Sequence, residues 1–233
     1  MAKRGSSSRL SVIYEDNHLL VINKPALLPT MGVAEGAPSA VTEAKRYLKQ
    51  KYQKPGNVYL GVVSRLDAAV SGVLVFARTS KSAARLSEQF REAKPEKVYW
   101  AAVGQAPAVA EDALVDWVRK DEKQRRMIVV RPHATGAQKA KLSYRVRQTT
   151  PQATLLEVRL ETGRKHQIRL QLSELGCPIL GDAKYGSRQP FAVGIALHAR
   201  SLAIMHPTSG ERLEFSAPPP PSWTRFGFDS AGT

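Results

Sequence analysis

The sequence predicts a strand-rich fold of the α+β class. Short β-branched or alternating runs at 11–14, 18–22, 62–63, 73–77, 95–104 and 155–160 are separated by turn residues, while helical periodicity is confined to a few short stretches. This pattern agrees with the class without supplying a topology. A chain of 233 residues is long enough to bury a substantial core as one two-lobed domain or as two small ones.

The first two runs, 11–14 and 18–22, read as strands around a turn at Glu15-Asp16-Asn17, and Pro25 ends the second because it lacks a ladder donor. After a loop rich in Gly, Ala and Pro at 29–38, Ser39 suits the N-cap of a helix through Val41, Ala44, Tyr47 and Leu48. Its other face carries Lys45, Arg46, Lys49 and Lys51, which is either a solvated face or a phosphate contact.

The stretch from Gly61 to Thr79 is the one the chain is organised around. Two apolar runs flank a polar interruption holding Arg65, Asp67 and Ser71-Gly72, so two core strands are expected to meet at a tight loop with Asp67 at its turn. Local chemistry alone makes Asp67 a turn residue that bonds its own backbone.

Ser80 is the expected N-cap of a helix from Lys81 to about Glu92, with Ala84, Leu86 and Phe90 among its apolar contacts. A strand at 95–104 follows. From 114 to 147 basic residues far outnumber acidic ones, and the run from Arg119 to Arg126 shows neither periodicity. It reads as a charged loop between short strands near 127–130 and 141–146, serving either solubility or a grip on RNA. A strand at 155–160 leads through Gly163 to a short helix ending near Leu175-Gly176. The last strands are expected at about 196–202 and 212–215, with a poorly ordered, proline-rich tail from Pro218.

A formal charge of +15 points to a polyanionic partner, with nucleic acid ahead of an anionic membrane because no long apolar run is present. The single cysteine, Cys177, excludes an intramolecular disulfide and argues against cysteine-ligated zinc, which fits a reducing compartment. Residues 1–9 are basic and serine-rich with no apolar segment behind them. They read as a flexible arm rather than a secretory signal, and a cytoplasmic protein is expected. No zinc-type His pair with glutamate, phosphate-binding Gly-Lys loop, dinucleotide glycine fingerprint or nucleophile elbow occurs, so metallohydrolase, NTPase, dinucleotide enzyme and serine hydrolase all lose support.

Several phrases taken whole are more specific. Ser-Arg-Leu-Asp-Ala-Ala-Val-Ser-Gly at 64–72 resembles the motif that carries the catalytic aspartate in RluA-type pseudouridine synthases, which isomerise uridine within RNA. Ser64 stands where that family usually has His, and Val70 where it usually has Thr. Tyr-Glu-Asp-Asn-His-Leu-Leu-Val-Ile-Asn-Lys-Pro at 14–25, Lys97-x-Tyr99-x-Ala101-x-Val103-Gly104, Thr-Gly-Arg-Lys-His-Gln-Ile-Arg-Leu at 162–170 and Gly176 to Gly186 are similar to further family blocks.

The resemblance spans about 10–218 and implies a bent, mainly antiparallel mixed sheet in two subdomains, with flanking helices and a central cleft. It implies one catalytic domain at 10–217, between the arm at 1–9 and the tail at 218–233, without the S4-like domain some members carry. It makes Asp67 the nucleophile, at C1′ of the sugar or C6 of the base. Tyr99 would pack on the uracil and assist proton removal, and Arg169 would pair with Asp67. Arg65, Arg164, His166 and Lys24 are the candidate substrate-binding residues, with RNA or the catalytic loop as the contact expected of Lys24, while Asp182 and Tyr185 are expected to fix the fold. No cofactor and no metal is expected, the partner is ribosomal or transfer RNA, and a monomer is expected. A non-catalytic RNA-binding protein on the same scaffold is the alternative.

Overall fold

The computed structural model describes residues 10–228; the arm expected at 1–9 lies outside them. Among the described residues, eleven strands form one sheet: β1 (Ser11–Glu15), β2 (Leu19–Lys24), β3 (Gly61–Val62), β4 (Ser71–Ala77), β5 (Glu96–Val103), β6 (Glu111–Asp121), β7 (Arg126–Val129), β8 (Gln138–Thr149), β9 (Thr154–Leu160), β10 (Leu197–Met205) and β11 (Arg212–Ser216). Their order is β1-β2-β4-β10-β5-β9-β8-β6-β7, with β3 added to β4 and β11 to β10. The pairing of β4 with β10 is parallel, and the other pairings are antiparallel. With helices α1 (Ala40–Lys51), α2 (Ser80–Arg91) and α3 (Gln167–Glu174), this is the expected α+β class.

The continuous apolar runs of β2 and β4 follow from burial on both faces. Leu20, Ile22, Leu74 and Phe76 point into the larger core with Ala44 and Leu48 of α1, while Leu19, Val21, Val73 and Val75 point the other way with Leu86 of α2. Ser39 caps α1 through a reciprocal arrangement with Thr42. Thr79, one residue earlier than expected, caps α2 by accepting from the Ser82 N–H. A third, smaller cluster of Val118, Met127, Ala140, Leu170 and Tyr185 lies between the β6–β7 hairpin and α3.

Two expectations need correction. The run from Arg119 to Arg126 is not a loop: β6 continues to Asp121, and β7 begins at Arg126. Cross-strand pairing and the apolar contacts of Val118 and Met127 supply what the charged side chains conceal. Nor does order end at Pro218. Pro221–Phe226 forms a 3₁₀ helix whose Trp223 and Phe226 are buried in the main core, and Phe226 stacks on Phe191 with ring centroids 5.9 Å apart. The aromatics outweigh the proline-rich composition that precedes them.

The β4–β10 junction positions the loop before β4. Ser71 Oγ bonds His198 Nδ1 at 2.9 Å, and His198 Nε2 donates to the Ala217 carbonyl at 3.0 Å, so this buried imidazole is neutral and structural. Burial lowers its pKa to about 4. Gly72 has φ +114°, and a Cβ there would press into the backbone of Ala199, its parallel partner.

Gly72→Ala is therefore expected to destabilise the protein by at least about 2 kcal/mol, through φ strain and overpacking together. Urea unfolding checks this, and a midpoint equal to the parent's would mean the junction relaxes freely.

Candidate active site

Residues 63–70 connect β3 to β4 and carry Asp67 on a turn closed by the Val70 N–H donating to the Asp67 carbonyl at 3.1 Å. This loop is anchored through its backbone. Thr30 Oγ1 donates to the Leu66 carbonyl at 2.7 Å and accepts from the Leu66 N–H at 3.1 Å. The Ile195 N–H donates to the Ala69 carbonyl at 3.2 Å, across Gly194, where any side chain would collide with that same carbonyl.

Lys24 completes the anchoring: of its two expected contacts, RNA and the loop of Asp67, it makes the second, which corrects its placing among the substrate-binding residues. It does not reach the cleft where substrate was expected to meet it. Its ammonium is fully buried and donates to the carbonyls of Pro25 at 2.8 Å, Leu28 at 2.8 Å and Ala68 at 3.3 Å. Burial pulls its pKa down to about 8 against the opposing pull of Asp67. Three donors meet three acceptors, so Lys24 holds the loop from beneath.

Arg169 lies on α3, a helix buried from Gln167 to Leu172. Its Nε and Nη2 donate to the two carboxylate oxygens of Asp182 at 2.6 and 2.8 Å, and Nη1 donates to Asp67 Oδ2 at 2.9 Å. Burial works against the guanidinium charge, but the two carboxylates more than offset it and hold the Arg169 pKa above its ordinary value. The Asp182 side chain is 1% exposed and that of Asp67 31%, so one carboxylate is structural and the other opens to solvent.

His166, just before α3, has φ +52° and sits with Nε2 3.6 Å from Asp67 Oδ2. Its Nδ1 bonds the Tyr185 hydroxyl at 2.8 Å, and that hydroxyl accepts from the Met127 N–H at 3.0 Å. The tautomer that gives the hydroxyl proton an acceptor and turns an N–H rather than a lone pair toward the Asp67 carboxylate has Tyr185 donating to Nδ1 and the imidazole proton on Nε2. Burial lowers the His166 pKa to about 4; the Asp67 charge pulls the other way, and Arg169, Lys165 and Lys184 add to the lowering. The Tyr185 ring also packs on the Arg169 guanidinium at 5.0 Å. Asp182 and Tyr185, read from sequence as fold residues, thus brace the site; their place in the block from Gly176 to Gly186 was the available signal.

Asp67, Tyr99, Arg169, His166, Arg65 and Arg164 all line one cleft of about 910 Å³. Tyr99 projects from β5, and burial together with the Asp67 charge raises its pKa, which keeps the phenol protonated. Arg65 is exposed at the cleft, and Arg164, also exposed, is steadied by its Nε donating to the Lys139 carbonyl at 3.0 Å. Arg91, Lys97 and Lys165 add further cations against Asp67 and Glu161. The cleft therefore suits an anionic chain and presents a carboxylate beside a protonated aromatic. Among the described residues, no group of three or more His, Cys, Asp or Glu side chains is placed to hold a metal ion, and no helix is long and apolar enough to cross a membrane.

Residues 18–174 match the family model described as RNA pseudouridylate synthase. This chain belongs to that family. It is 33% identical to the dual-specificity RNA pseudouridine synthase RluA of Haemophilus influenzae, over 89% of this chain and 92% of that protein. It is 32% identical to the ribosomal large subunit pseudouridine synthase D of Zymomonas mobilis, over 91% of this chain but 69% of that protein. For synthase D of Xanthomonas campestris the chain spans 66% of the relative's length, at 36% identity. The human RNA pseudouridylate synthase domain containing 4 superposes with a TM-score of 0.77 at 27% identity, covering 93% of each chain. Within this family framework Asp67, Tyr99 and Arg169 fall inside the matched segment, while Asp182 and Tyr185 lie beyond it.

Asp182→Asn removes one of two carboxylates from a buried guanidinium, and a loss of about 3 kcal/mol in unfolding free energy is expected, together with reduced turnover. Stability unchanged in urea titrations would show that Asp67 alone can balance Arg169. The histidines add a pH dependence. His166 and His198 titrate near 4 in the folded chain and 6.5 when unfolded, so the unfolded state binds more protons between those values. Their contribution is fully present above pH 6.5 and is expected to be lost as pH falls towards 4. Urea midpoints across that window measure it, and nitrogen NMR shifts of His166 should report the neutral Nε2-protonated ring at pH 6.

Proposed function

We propose that this protein isomerises specific uridines in structured RNA, ribosomal or transfer, to pseudouridine, with Asp67 as the nucleophile. The observation that carries the reading is the arginine fork that ties Asp67 to a buried Asp182 inside a basic cleft, in a chain of the RNA pseudouridylate synthase family. The names of the relatives, a dual-specificity RNA enzyme and large-subunit ribosomal enzymes, support RNA of these classes as substrate.

The chemistry exchanges one bond for another. Asp67 attacks C1′ of the ribose or C6 of the uracil, the N1–C1′ bond breaks, and the base turns within the cleft; C5 then bonds C1′, the bond to Asp67 breaks and frees the carboxylate, C5 loses its proton to solvent and N1 takes one up. No net oxidation occurs, so no redox cofactor is required. A base inside a helix cannot rotate, so the nucleotide must be extruded or lie in a loop. The ring of Tyr99 supports the turned base, and its raised pKa makes the phenol a poor proton acceptor, which favours stacking over general-base work. Arg169 fixes the direction of the Asp67 carboxylate, and Nε2–H of neutral His166 faces the same oxygen. Arg65 and Arg164 supply phosphate contacts at the rim.

Tritium release from RNA labelled at uracil C5, with a chelator present, tests the activity directly. Asp67→Asn is expected to abolish release while leaving RNA affinity within a few-fold of the parent, because phosphate contacts lie elsewhere. Arg169→Ala is expected to lower turnover by about 10³-fold and Arg169→Lys to recover part of it, since a point charge cannot serve two carboxylates as a planar fork does. Tyr99→Phe keeps the ring and is expected to stay within about tenfold of parental turnover. Release by Asp67→Asn at the parental rate would overturn the mechanism.

A further inference from the structure

Lys97 stands on β5 two residues before Tyr99, so the two side chains leave the same face of the sheet about 7 Å apart. Both line the cleft. Unlike Lys24, whose ammonium meets three carbonyls, Lys97 makes no side-chain hydrogen bond or ion pair among the described residues. The carboxylates nearest in sequence or along the cleft are engaged elsewhere: Glu96 with Arg212 at 3.1 Å, Glu161 with Lys141 at 3.1 Å and Asp67 with Arg169 at 2.9 Å. Its Nζ lies 4.0 Å from the position a side chain on Gly163 would take, so it faces the Thr162-to-Lys165 loop. Burial lowers its pKa, with no neighbouring charge opposing the shift.

A cation partly withdrawn from water and left without a counter-charge is a standing cost to the free protein. The cost is recovered if an anion arrives with the substrate. We infer that Lys97 is a phosphate-positioning residue, whose ammonium takes the backbone phosphate adjoining the uridine that packs on Tyr99. This rests on the reading of Tyr99 given above. A nucleotide's base and its own phosphate are separated by one ribose, a reach that two same-face positions on one strand can match. Arg65 and Arg164, exposed at the cleft, attract RNA at longer range, whereas a half-buried ammonium discriminates position because only an extruded nucleotide brings a phosphate to it.

The test compares the full-length parent with Lys97→Met and Lys97→Arg. Binding of a fluorescent stem-loop RNA with uridines in its loop is measured by anisotropy across a salt series, thermal melting is recorded, and tritium release is followed from labelled total cellular RNA. Lys97→Met is expected to weaken stem-loop binding about tenfold and reduce the log–log salt slope by about 0.7–0.9, one phosphate contact. It should raise KM more than it lowers kcat and leave the melting temperature unchanged or higher, since it removes an uncompensated charge. Lys97→Arg should restore most of the affinity.

Affinity within twofold of the parent and an unchanged slope for Lys97→Met would overturn the inference. So would a lower melting temperature with Lys97→Arg equally impaired, which marks a packing role. Lys97-dependent binding by a parent that releases no tritium would sink the isomerase reading and keep the phosphate contact; turnover with Lys97-independent affinity would do the reverse.

Discussion

One guanidinium divided between two carboxylates is the interaction on which the site depends. Arg169 is carried by a helix with almost no exposed face, so its charge must be balanced within the protein. Asp182, itself buried, occupies Nε and Nη2, leaving Nη1 as the donor that reaches Asp67. A lysine could neutralise either acid but could not hold one in a two-bond fork while directing a third bond outward. One cation thus stands between two carboxylates, of which the more exposed, Asp67, faces the cleft.

The position of Asp67 is set largely without touching its carboxylate. Lys24, Thr30 and the Ile195 N–H each take a different carbonyl of the loop, and glycines at 72 and 194 let neighbouring backbone approach closely. Such anchoring uses neither carboxylate oxygen of Asp67, leaving Oδ2 to Arg169, while removing freedom from the chain that carries them. It also concentrates unfavourable features near the site: a buried ammonium at Lys24, left-handed backbone at His166 and an uncompensated charge at Lys97.

The basic hairpin is coupled to this centre. β6 and β7 contribute Val118 and Met127 to a small core shared with Leu170 of α3 and Tyr185, while Arg119, Lys120 and Arg125 are exposed. The Met127 N–H meets the same hydroxyl that orients His166. Surface charge and site geometry are therefore linked through this shared core and two hydrogen bonds rather than by proximity alone.

By itself the sequence determined the strand-rich class and most element positions, pointed to a polyanionic partner and, through whole phrases similar to a family, singled out Asp67, Tyr99 and Arg169, which the fold brings to one cleft. These are legible because apolar periodicity is local, net charge is a sum, and a motif keeps its residues at fixed spacing. What the tertiary structure decided depends on contacts between residues far apart in the chain. Lys24 reads as a strand-end cation until the carbonyls of Pro25, Leu28 and Ala68 enclose it. Asp182 reads only as a residue that fixes the fold until Arg169, thirteen positions earlier, meets it edge on. The run at 119–126 reads as a loop because the partners that make it a hairpin lie across the sheet, and Trp223 and Phe226 read as part of a tail because the core that buries them is built by strands much earlier in the chain. Pairing and burial are properties of the assembled sheet, and no local pattern of residue types encodes them.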